Sequence, residues 1–169
     1  MNASAQQTTN QQHNIEQFLY AVAAACDRQD WDQYLSFFSE DSVFHIPQWE
    51  TEHQHTTDPK KEMSLMYYPT RGGLEDRVFR IRTGKSAACT PMPRTLHGIN
   101  NVRPNLRPDG LIAVNVNWTT HYYRFGKAHL FFGTAQYHLE PHENSWKIKY
   151  KQTILLNDKI DSVLDFYHV

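Results

Sequence analysis

Between Leu111 and Leu156 apolar and polar residues alternate in three successive runs, which predicts three strands joined by short turns. In the first, LIAVNVNWTTHYYRF, Ile112, Val114, Val116, Trp118, Thr120 and Tyr122 share one face, while Asn115, Asn117, Thr119 and His121 share the other. The second, AHLFFGTAQYHLE, aligns Phe131, Gly133, Ala135, Tyr137 and Leu139. The third, SWKIKYKQTIL, sets Trp146, Ile148 and Tyr150 against Lys147, Lys149 and Lys151, and this lysine row reads as the wet face of a strand. Gly126-Lys127 and the segment from Pro141 to Asn144 supply the turns. At roughly 3.3 Å per residue the first run would span about 50 Å if flat, against ~17–20 Å for an ordinary strand, so the meander is expected to curve strongly. Gly133 then marks a bend or a close approach of two backbones.

Upstream the period changes. Ile15, Phe18, Leu19, Val22, Ala23 and Cys26 recur at three- and four-residue steps, the signature of an amphipathic helix. Asp30 can cap a second, shorter helix in which Trp31, Tyr34, Leu35 and Phe38 share a face. EDSVFHIPQW returns to alternation and predicts a short strand ended by Pro47. From Thr51 to Pro69 periodicity fails, which predicts a long loop ending in a short strand. After Gly72-Gly73, Leu74, Val78 and Ile81 resume helical spacing, with Glu75 and Asp76 in the first turn, Arg80 and Arg82 toward the end, and Gly84 as the stop. SAACTPMPRT reads as a loop, RTLHGINNV as a further strand, and Arg103 to Gly110, with its two prolines, as a surface loop. The order of elements implies an α+β domain, helices packed on one face of a curved antiparallel sheet. Residues 1–14 read as a disordered polar tail and residues 15–169 as a single domain.

Composition narrows the class. A 40% hydrophobic, 13% aromatic chain of 169 residues can bury a core, and a formal charge of -1 argues against a nucleic-acid footprint. No apolar run reaches the ~20 residues of a membrane span, and the N-terminus lacks an export signal, so a cytoplasmic protein without a membrane role is expected. Cys26 and Cys89 are expected to be reduced thiols, and neither pairs with a nearby histidine as an iron–sulfur ligand set would require. His53, His55 and Asp58 have the composition of a two-histidine, one-carboxylate iron site but lie in a polar loop without rigid support. A hollow cone could direct His97, His121, Asp41 and Tyr137 inward as acid and base groups, which would suit a stand-alone isomerase or dehydratase acting on a small cyclic substrate. No nucleophile elbow, phosphate loop or zinc-protease motif accompanies them.

Four blocks carry a resemblance: VFHIPQW (Val43 to Trp49), DPKKEMSLMYYPTRGGLEDRVFRIRTGKSA (Asp58 to Ala87), PMPRTLHGINNV (Pro91 to Val102) and LLNDKIDSVLDFYHV (Leu155 to Val169). With them the chain, from about Ile15 onward, resembles the small, or β, subunit of aromatic-ring-hydroxylating dioxygenases. It is most like the anthranilate and benzoate 1,2-dioxygenase group, and CTPMPRTLH leans toward the anthranilate enzymes. The resemblance implies a nuclear-transport-factor-like α+β cone. It also implies a self-trimer of small subunits within an α3β3 hexamer. The large subunit would carry a Rieske [2Fe-2S] cluster and mononuclear Fe(II), and a reductase would deliver electrons from NADH. The small subunit would be mainly structural, with no catalytic, cofactor or metal residue of its own. Candidate interface groups are Trp49, Tyr67, Tyr68, Arg71, Glu75, Asp76, Arg77, Arg82 and Arg94, because Trp, Tyr and Arg dominate interface energetics and these lie in or beside the irregular middle block. Alternatively, Glu75, Asp76 and Arg77 only solvate a helix face. The terminal block is too apolar for a free tail: Ile160, Val163, Leu164, Phe166, Tyr167 and Val169 extend strand pairing, dock in a neighbour, or complete this chain's own core.

Overall fold

A computed structural model describes residues 3–85, 89–161 and 163–169, with side chains from residue 10 onward. Ser86 to Ala88, in the expected loop, and Ser162, in the terminal block, lie outside the described residues. The elements are α1 (Ala3–Asp27), α2 (Trp31–Ser36), β1 (Phe38–Pro47), β2 (Ser64–Tyr68), α3 (Gly72–Arg82), β3 (Arg94–Leu106), β4 (Ile112–Arg124), β5 (Lys127–His142), β6 (Ser145–Leu155) and a 3-10 turn, Phe166–His168. The six strands form one sheet in the order β2-β1-β6-β5-β4-β3, antiparallel except for β1 beside β6. The expected α+β cone is present, with α1 lying along β3 and α2 closing the space between α1 and the sheet.

The three-strand meander forms where alternation places it. Ile112, Val114, Val116, Trp118, Thr120 and Tyr122 of β4 are all buried, as are Phe131, Ala135, Tyr137 and Leu139 of β5. The β4–β5 hairpin turns on Phe125 and Gly126, both at positive φ (52° and 76°), one residue earlier than the sequence pattern suggested. Two residues in the left-handed region match the twist of the flanking strands. Gly133 is a close approach: a Cβ there would sit 1.9 Å from the Ile154 carbonyl oxygen.

Three expectations are corrected. The helix begins at Ala3, inside the stretch expected to be a disordered tail. The proposed loop from Arg103 is strand as far as Leu106, with Pro104 opposite Val114. Proline is tolerated because β3 is an edge strand of the sheet, with a partner on one side only. The third correction concerns the lysine row. Leu139 pairs with Ile148 but His138 with Tyr150, leaving Lys149 as an extra residue. This bulge reverses the facing of β6, so Lys151, Thr153 and Leu155 point inward and Lys151 is 4% exposed.

The terminal segment finishes this chain's own core and, among its described residues, adds no strand. Phe166 stacks on Tyr34 (5.4 Å) and meets Trp31 edge-on (5.4 Å), while His168 packs on Tyr122 (4.9 Å) and Phe131 (5.6 Å). The turn is capped from both sides: Phe166 N donates to Asp165 Oδ1 (2.9 Å), and Asp165 N donates to His168 Nδ1 (3.0 Å). Each buried aromatic of this kind is worth ~1.5–3 kcal/mol.

Candidate functional site

The middle block folds as a folded-back loop braced on the sheet edge and on α3. Trp49 follows β1, donates its indole N–H to the Leu155 carbonyl (2.6 Å) and meets the His55 ring edge-on at 5.6 Å. His55 Nδ1 lies 2.9 Å from the Thr56 carbonyl, and His53 is exposed. Among the described residues no group of three or more His, Cys, Asp or Glu is placed to hold a metal ion. Tyr67 lies edge-on to His45 (5.7 Å), and Tyr68 stacks on Phe44 (6.0 Å) with Gly73 pressed against its ring. Any side chain at Gly73 would overlap Tyr68, which explains the glycine at the start of α3.

The charged candidates diverge. Arg71 bonds Glu75 Oε1 (2.7 Å) and the Phe38 carbonyl (3.0 Å), tying α3 to the start of β1. Arg77 forks onto both oxygens of Asp165, whose side chain is 2% exposed, so it locks the terminal segment of its own chain. Arg82 pairs with Asp32 at 2.8 Å with both groups exposed, Arg94 lies over the Tyr123 ring at 5.0 Å, and Asp76 is exposed. Thus Glu75, Asp76, Arg77 and Arg82 share α3 with Arg71 at its N-cap, Trp49, Tyr67 and Tyr68 lie at the β1–β2 edge, and Arg94 stands apart at the start of β3.

The apolar surface that the sequence reading missed is the outer face of the sheet. Leu96, Leu130, Phe132 and Leu156 are 64%, 44%, 41% and 42% exposed. The registers put Leu96 and Leu130 on either side of exposed His121, and Phe132 beside Thr119, while Leu156 N donates to the Phe132 carbonyl (2.9 Å), so all four lie on the face opposite the buried row of Trp118, Thr120 and Tyr122. Beside them the same face becomes a field of amides: Asn115, Asn117, Gln136 and Gln152. The signal was legible only as apolar residues at the solvent positions of β5.

Inside the cone the acid–base candidates separate. His121 is exposed on the outer face, and Asp41 is exposed and bonded to Lys149 Nζ at 2.5 Å. His97 and Tyr137 do face inward, lining a cavity of about 20 Å3 with Cys26, Tyr34, Lys151 and Thr153. His97 is oriented by Asp27, which the sequence reading did not single out: Nδ1 is 2.6 Å from Oδ1, His97 N donates to Oδ2 (3.0 Å), and Thr95 Oγ1 donates to Oδ1 (2.9 Å). Burial pushes the Asp27 carboxyl up, but these bonds from His97 and Thr95 outweigh it and hold the group below its ordinary range. Burial lowers Lys151 to about 8 and raises Cys26 to about 12. Asp27 and His97 are seventy positions apart, so no local spacing could reveal the pair.

The chain thus combines a curved sheet over a small inner cavity with an outer sheet face that exposes apolar side chains. The chain belongs to the family described as ring hydroxylating beta subunit, whose profile matches residues 21–162. Among relatives, the chain is 54% identical to the anthranilate 1,2-dioxygenase small subunit of Acinetobacter baylyi over 92% of this chain and 95% of that protein. It is 41% identical to the benzoate 1,2-dioxygenase subunit beta of the same organism over the whole of both chains. The crystal structure of the benzoate 1,2-dioxygenase beta subunit of Burkholderia mallei superposes with a TM-score of 0.75 at 36% identity, covering 92% of this chain and 95% of that one. The protein is therefore the small subunit of a ring-hydroxylating dioxygenase, an oxidoreductase component whose partner is a large oxygenase subunit. Among the described residues no helix is long and apolar enough to cross a membrane.

Proposed function

We propose that this subunit serves an anthranilate 1,2-dioxygenase, converting anthranilate to catechol with O2 and NADH, and that its role there is structural. The observation that carries the substrate is the 54% identity to the anthranilate enzyme's small subunit, against 41% to the benzoate one. In this reading three copies form a trimeric platform within an α3β3 hexamer. The large subunit holds the Rieske [2Fe-2S] cluster and mononuclear Fe(II), and a reductase passes electrons from NADH.

The platform role is supported by the apolar patch of Leu96, Leu130, Phe132 and Leu156, which suits contact with a neighbouring copy. Trp49, Tyr67, Tyr68, Arg71, Glu75, Asp76, Arg82 and Arg94 remain candidates for contact with the large subunit, and Arg77 contributes through the segment it anchors. A stand-alone isomerase is disfavoured by the interior, since a cavity of about 20 Å3 cannot admit a ring.

The test is co-expression with the large subunit, followed by size-exclusion chromatography, iron and sulfide assay, and turnover of anthranilate against benzoate. Preferential formation of catechol from anthranilate by an iron-loaded hexamer is expected. Equal or greater turnover of benzoate would refute the substrate, and turnover by this chain alone would refute the structural role.

A further inference from the structure

The inner cavity has a chemistry that the assembly role does not use. Asp27 can only accept hydrogen bonds as a carboxylate, so the contact at 2.6 Å places the His97 proton on Nδ1. The other ring nitrogen, Nε2, an acceptor in the neutral ring and a donor in the imidazolium, is buried with no hydrogen-bond partner. Tyr34 Oη and Thr153 Oγ1 line the same cavity and are also buried without partners. Tyr34 and Thr153 are 2% and 0% exposed, and they come from α2 and β6 while His97 comes from β3. Lys151 Nζ, in the same lining, donates to the Val169 carbonyl at 2.9 Å and has further N–H groups to offer.

Leaving a buried polar group unpaired costs about 1–3 kcal/mol, so three in one small space call for a common partner that both donates and accepts. Size then selects the partner. A cavity of about 20 Å3 exceeds the ~10–15 Å3 that one water requires and falls far short of the roughly 150 Å3 that takes a benzene ring.

We propose that the interior of this subunit is a specific water site, in which water held by His97 Nε2, Tyr34 Oη and Thr153 Oγ1 links α2, β3 and β6. Asp27 is its positioning residue, since it holds Nδ1 and the backbone N–H of His97 and so leaves Nε2 to the cavity. Three unpartnered polar atoms in a mostly apolar lining supply the partners a water needs, and the space is too small to hold a ring, so the pair that would serve as a base in a wider cone here serves cohesion.

The test uses the full chain. A high-resolution crystal structure is expected to show water within hydrogen-bonding distance of His97 Nε2, and water 17O relaxation dispersion is expected to count at least one long-lived molecule. Thr153→Val, nearly isosteric and checked for folding by circular dichroism, should lose a long-lived water. Phenol, as a ring-sized probe, should leave the His97 ring resonances unmoved. A dry cavity, an organic molecule in the density, an unchanged water count in folded Thr153→Val, or saturable phenol binding would each overturn the proposal.

Discussion

The inner and outer faces of the β4–β5–β6 meander come from the same alternating runs but are completed by different means. The inner face is finished by this chain: Phe166, Tyr167, His168 and Val169 are all 5% exposed or less, and Arg77 holds Asp165 beneath them. The outer face is left open, with Leu130 and Phe132 more than 40% exposed between strands whose inward neighbours are buried. Burial on the inner face is therefore a matter of folding, and on the outer face, in the proposed reading, a matter of assembly. A substitution on the inner face should be felt by the isolated chain, whereas one on the outer face should be felt only when subunits meet.

The largest expected effect comes from removing the inner face's closure. Deleting Asp165 to Val169 exposes Trp31, Tyr34, Tyr122 and Phe131 and forfeits several aromatics at ~1.5–3 kcal/mol each, comparable to a whole domain's ~5–15 kcal/mol. The truncated chain should fail to yield an intact hexamer on size-exclusion chromatography, and activity should fall in proportion. A full-size, fully active complex would contradict the inner-face account.

Next is Arg77→Met, which leaves a nearly buried Asp165 carboxylate without its cation. Urea unfolding of the isolated chain should show a loss of about 3 kcal/mol, the lower end of what breaking a buried pair costs, because Arg77 is itself 23% exposed. An unchanged midpoint would mean that Arg77 faces a partner and not its own tail.

Acid should also act on the inner face. Burial, aided by nearby His97 and Arg124, lowers His168 to about 3, against 6.5 in an unfolded chain. Its folded-state pKa is depressed, so between these values the unfolded chain binds the proton and the folded one does not. Stability is then complete above about pH 6.5 and declines as pH falls toward 3, by at most about 1.4 kcal/mol per pH unit from this residue. Protonation would also remove the Nδ1 lone pair that accepts from Asp165 N. His168→Gln should give a shallower acid slope in urea midpoints measured from pH 7 to 5, and an identical slope would exclude His168 as its source.

The smallest effect on the isolated chain is expected on the outer face. Leu130→Glu with Phe132→Glu should move its stability by only about ±0.5 kcal/mol, yet abolish the trimeric platform on size-exclusion chromatography. Loss of folding in the isolated chain, or full assembly despite two buried charges, would remove the distinction between the faces.

Much of this protein was legible from period alone. Alternation located the meander and the rows buried in β4 and β5, three- and four-residue spacing located α1 and α3, and Asp30 marked the start of α2, because these follow from the geometry of one strand or one helix. Family membership was also legible, carried by the middle and terminal blocks. The inward turn of Lys151 was not, because one extra residue at Lys149 in a strand pairing reverses a face without altering the local pattern. The Asp27–His97 pair, the Arg77–Asp165 clamp and the destination of the terminal segment were decided only by tertiary structure. Each joins positions that are neighbours in space and remote in sequence, and period carries information only about neighbours along the chain.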